Sequence, residues 1–148
     1  MATDETLPQV SIKHPAPHRH RVGLTALFFG LAAAPTAWNA QLLFSVGLSA
    51  HACYPRDEPL ALPIWSNLWA ILLAIGLVGI AVSIVGGLVS FRNWRLTFDE
   101  APGSAHQLLD RGEGRTRFIA MFGILTSFLF ALGLLFATAA VFLVPLCR

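Results

Sequence analysis

The sequence predicts an all-α membrane protein of three transmembrane helices, with a cytoplasmic N-terminus and a periplasmic C-terminus. Three observations predict it: three long charge-free stretches, a one-sided distribution of Lys and Arg, and too few charges to cover a water-soluble surface. Of 148 residues, 55% are hydrophobic and 12% are charged, and the mean hydropathy is +0.65. A soluble domain carries about 25% charged residues. The charge-free stretches run from Arg21 to Arg56, from Glu58 to Arg92 and from Arg117 to Arg148. Each holds the roughly 20 residues of one helical crossing, but not the two helices and turn of a double crossing. An open sheet is excluded because its unpaired backbone groups would each cost several kcal/mol in lipid. The net charge of +2 offers no electrostatic footprint for nucleic acid.

These stretches divide the chain. Residues 1–21 form a flexible basic cytoplasmic N-terminus, broken by Pro15 and Pro17. Apolar spans follow at 22–50, 64–91 and 118–146. They are separated by a short periplasmic loop, 51–63, and a cytoplasmic loop, 92–117. Within that second loop, Ser104 and Gln107 have capping-box spacing and open a short interfacial helix. Val22–Ala34 also has the look of a signal peptide. Asp4 and Glu5 in a long leader, and renewed apolar character over Leu42–Leu48, favour retention.

Orientation follows from the basic residues. Lys13, Arg19 and Arg21 precede the first span, and Arg92, Arg95, Arg111, Arg115 and Arg117 lie between the second and third. Only Arg56 and Arg148 fall on the other side, so the first group faces the cytoplasm. Trp65 and Trp69 then anchor the outer interface and Trp94 the inner one. The preference for Arg over Lys suggests a GC-rich bacterial genome, hence a multi-pass protein of the bacterial inner membrane.

Cys53 and Cys147 are the only cysteines, and this topology puts both on the oxidising face. A Cys53–Cys147 disulfide is the expected state. Two free thiols are one alternative. The other is a soft-metal site in which His51 joins both sulfurs, a ligand set suited to Cu(I).

Small residues recur every four positions in each span: Ala26, Gly30 and Ala34; Gly79, Ser83 and Gly87; Gly123, Ser127 and Ala131. Such rows share one helical face and let membrane helices approach closely. All three sets fall in the cytoplasmic half. In the first span Pro35 removes a backbone donor and predicts a kink. Trp38, Asn39, Gln41 and Ser45 form the main polar cluster of the spans. It serves either hydrogen bonds within the bundle or contact with a partner subunit.

The spans contain no charged residue, as an ion-coupled transporter would need, and no internal repeat. They contain no pair of axial haem ligands. A nucleophile motif, a zincin motif and a Walker lysine are also lacking. The sequence therefore predicts no enzyme and no cofactor.

The segments Ala34-Pro35-Thr36-Ala37-Trp38-Asn39-Ala40-Gln41-Leu42 and His51-Ala52-Cys53-Tyr54-Pro55 resemble a group of small uncharacterised three-span bacterial inner-membrane proteins. Gly114-Arg115-Thr116-Arg117-Phe118, which leads to the terminal Cys147, resembles the same group. Its members accompany respiratory haem-copper oxidases, so the resemblance implies an accessory or assembly role beside such a complex. It brings no catalytic residue with it. The expected partners are the lipid bilayer and a larger membrane protein complex. Two other classes stay open: a periplasm-facing copper or thiol redox protein using His51, Cys53 and Cys147, and a small self-associating permeation protein.

Overall fold

The computed structural model describes residues 22–97, 115–145 and 147. The basic N-terminal segment and the Ser104–Gln107 helix expected from the sequence lie outside the described residues. Three long helices make up the fold: α1, Leu24–Cys53; α2, Leu68–Leu96; and α3, Arg115–Leu143. All three are long and apolar enough to cross a membrane, and the described residues contain no strand. Each helix touches the other two, with α2 sharing the larger contacts.

The helix ends are set locally. Tyr54 donates its N–H to Ala50 O at 2.9 Å and leaves helical geometry, and Pro55 starts a single 3-10 turn, Pro55–Asp57. Arg56 sits there at φ 60°, a left-handed position that non-glycine residues seldom adopt. The N–H groups of Leu60 and Ile64 turn back to the carbonyls of Cys53 and Ala52 at 2.9 and 3.0 Å. Thr97 closes α2 by donating its hydroxyl to Asn93 O and Trp94 O. Pro145 disfavours helix at the residue before it, and α3 ends at Leu143.

Helix limits and apolar spans do not coincide. α1 continues beyond Ala50 to Cys53, into the expected outer loop. α2 begins at Leu68 rather than Ile64, whose N–H instead caps α1. It then runs past Phe91 to Leu96 and carries Arg92 and Arg95. α3 covers Arg115–Leu143 rather than 118–146. A helix satisfies its own backbone and need not stop where the hydrocarbon does. α1 is also one continuous helix through Pro35.

The inner face of α2 is Leu68, Leu72, Gly76, Gly79, Ser83, Gly86, Ser90 and Asn93. From Leu72 onward these alternate four and three apart, which is the 3.5-residue period of left-handed packing at a crossing of about 20°. The expected row Gly79, Ser83, Gly87 follows this face only part of the way. Steps of four drift about 40° each around a helix of 3.6 residues per turn, so Gly86 is buried while Gly87 is half-buried. The other rows behave alike: Gly30, Ala34, Gly123 and Ser127 are buried, and Ala26 and Ala131 are half-buried.

Two junctions hold the bundle, each a hydroxyl set against glycine. In the first, a Cβ added to Gly30 of α1 or to Gly123 of α3 would collide with Ser90 Oγ of α2. A Cβ on Gly86 would stand 3.1 Å from that of Ala33, and one on Gly87 3.3 Å from that of Ser127. In the second, Thr138 of α3 fills the notch at Gly76, where an added Cβ would lie 2.9 Å from Thr138 Cγ2. Leu134 covers Gly79 in the same way. Toward the Cys53 end, Ala52, Leu68 and Leu72 form an apolar plug flanked by Leu48 and Val141.

Gly123→Val is expected to cost about 1–3 kcal/mol by overpacking, measured by unfolding in mixed micelles. Gly47→Ala, where an added Cβ meets nothing within 4 Å, leaves stability unchanged or slightly raised.

Candidate functional site

The last turn of α1 brings Cys53 to Cys147, and the two form a disulfide with Cα atoms 5.3 Å apart and a sequence separation of 94. Closing a loop of about 100 residues is worth about 4.7 kcal/mol for a free chain. That is an upper bound for helices already confined by lipid. Cys53 is buried, whereas Cys147 is half-buried. In this state neither sulfur is a thiolate, the form in which cysteine binds metal. His51 is exposed, and its ring meets that of Trp65 at 5.7 Å. Among the described residues no group of three His, Cys, Asp or Glu side chains converges.

The polar cluster of α1 separates onto different faces. Trp38 turns toward α3, edge-on to Phe130 at 6.2 Å between ring centres. An added Cβ at Gly133 would lie 2.7 Å from its Cζ3, so Gly133 makes the space for the indole. Gln41 is also turned inward. Its Nε2 donates to Thr138 Oγ1 at 3.4 Å, and that hydroxyl donates to Leu134 O at 2.7 Å. Gln41 Oε1 is buried without a partner, as are Ser83 Oγ, Asn93 Nδ2 and Ser127 Oγ. Ser45 is half-buried.

Asn39 faces the other way. It is exposed, and its Nδ2 donates to Pro35 O at 2.8 Å. Successive residues turn about 100°, so Asn39 and Gln41 stand about 160° apart around α1 and cannot share a neighbour. That angle was available from the sequence and separates the outward amide from the inward one. Asn39 lies near the midpoint of α1, with Ala32 and Thr36 exposed beside it. The outward faces of the other helices at this level present mainly bulky apolar side chains: Leu77, Val78 and Val85 on α2, and Phe128, Leu129 and Leu132 on α3.

Comparison with protein-family models, with curated proteins and with solved structures finds no match to this chain.

Two outcomes test this geometry. Cys53→Ser should slow migration on a non-reducing gel and make Cys147 reactive toward maleimide; maleimide labelling of the unfolded, unreduced wild-type chain would show the pairing to be wrong. Gln41→Leu should change stability by less than about 1 kcal/mol. It loses one interhelical hydrogen bond, typically worth about 0.6 kcal/mol, but also removes a buried unpaired oxygen.

Proposed function

We propose that this chain is an accessory subunit or assembly factor of a larger membrane complex, held to it by helix–helix contacts through the outward face of α1. The single observation that carries the reading is Asn39. An exposed amide at the middle of a membrane span costs free energy in hydrocarbon unless another helix covers it. The bond to Pro35 O engages one N–H and leaves the second N–H and Oδ1 for a partner. Ala32 and Thr36 beside it are the small residue types that line membrane-helix interfaces. The one-sided distribution of Lys and Arg supports a cytoplasmic N-terminus and an outer-surface disulfide in a bacterial inner membrane. The resemblance of Ala34–Leu42 and His51–Pro55 to oxidase-associated proteins supports a respiratory oxidase as the complex.

The test is extraction of native membranes in mild detergent, with native-gel sizing and mass spectrometry. The wild-type chain is expected in a complex much larger than its 16.0 kDa. Asn39→Leu is expected to run free while keeping its disulfide. A wild-type chain that runs alone under conditions that keep known complexes intact overturns the proposal.

A further inference from the structure

We propose that Arg92 and Arg95, side by side near one end of α2, hold the headgroup of an anionic phospholipid. The inference needs only that the three helices span the bilayer, and it does not depend on the partner contact at Asn39. Both arginines lie in the last turns of α2, and both are exposed. Being three residues apart, they stand about 60° apart around the helix and about 4.5 Å apart along it. Leu88 and Phe91 are exposed on the same flank, and the four side chains fall within an arc of about 100°. The flank therefore passes from carbon to cation over two turns.

Depth places the pair among lipid headgroups. From Leu68 to Phe91 α2 rises about 35 Å, slightly more than the roughly 30 Å of hydrocarbon in a bilayer. Arg92 and Arg95 come next along the helix, in a headgroup layer about 5–8 Å deep on each side. Trp94 marks the same level independently. It is half-buried, with its ring 5.9 Å from that of Phe91, and indole rings settle at the membrane–water boundary.

Charge then selects the lipid. The described residues at this end, 22–25, 90–97 and 115–120, contain no Asp or Glu, and Arg115 and Arg117 open α3 there. The next acids along the chain, Asp99 and Glu100, lie outside the described residues. At the other end of the bundle Arg56 is followed directly by Asp57 and Glu58. Among the described residues, an anionic headgroup therefore meets net positive charge at one end only. A guanidinium can donate two parallel N–H bonds to a phosphate, while its aliphatic stem runs along apolar surface. Leu88 and Phe91 then meet the acyl chains of the same molecule. A zwitterionic lipid offers the same phosphate but brings its own ammonium, which the two arginines repel.

The full chain is purified in neutral detergent and exposed to an equimolar mixture of phosphatidylglycerol and phosphatidylcholine. The lipids that stay bound are counted by native mass spectrometry. The wild-type chain is expected to retain phosphatidylglycerol several-fold over phosphatidylcholine, and to lose that preference as salt rises from about 0.05 M to about 0.5 M. The double variant Arg92→Gln, Arg95→Gln is expected to retain both lipids equally, with the disulfide on a non-reducing gel reporting the fold. Arg56→Gln, at the other end, is expected to keep the wild-type preference. A wild-type chain without preference, or with one that salt leaves unchanged, overturns the proposal. So does a preference that survives in the double variant or is lost in Arg56→Gln. Failure of the partner test at Asn39 would leave these results unchanged.

Discussion

The arrangement depends on how closely three backbones approach at Gly30, Ser90 and Gly123. In lipid there is no hydrophobic gain in bringing apolar helices together, because the surrounding tails are as apolar as leucine. Attraction must come from dispersion over short distances and from a few hydrogen bonds. Glycine permits the distance, and the hydroxyl of Ser90 occupies the space that two missing Cβ atoms leave. Thr138 against Gly76 repeats the device farther along the bundle, with the amide of Gln41 adding a bond between α1 and α3. Most of each helix still faces outward. The bundle is thus a thin three-rod assembly whose order comes from a narrow axis of small and polar residues.

That axis explains why α1 carries the functional reading. α2 and α3 turn most of their glycines and hydroxyls inward, and bulky aliphatic or aromatic residues, with Ala74, Ala81 and Ala139, outward. α1 is the least apolar of the three spans, and it divides its polar residues between the two sides. Gln41 and Trp38 serve the bundle, while Asn39 and Thr36 remain outside it. A helix built only to complete a three-helix unit would have no reason to keep an amide on its lipid side.

The number of helices was legible because Arg and Glu punctuate the chain, and charges are costly in hydrocarbon at any register. The pairing of Cys53 with Cys147 was legible because two crossings between them, an even number, lead both sulfurs to one side. Packing register was less so. Small residues at Gly79, Ser83 and Gly87 fit a step of four, and only contact with neighbours selects the alternating step that buries Gly86 and Ser90. The helix limits also differ from the apolar spans. Ile64 is apolar enough to belong to a span, yet it lies in the connection that folds back on the end of α1, its N–H on the carbonyl of Ala52, and α2 starts at Leu68.

The bond between Cys53 and Cys147 turns the larger part of the chain into a covalent ring, with α2 and α3 strung on it. A protease cut at any point between Thr97 and Arg115 would open that ring without releasing either piece. α1 and α2 would stay fastened to α3 through sulfur, and their separation would then depend on the redox state of one surface alone.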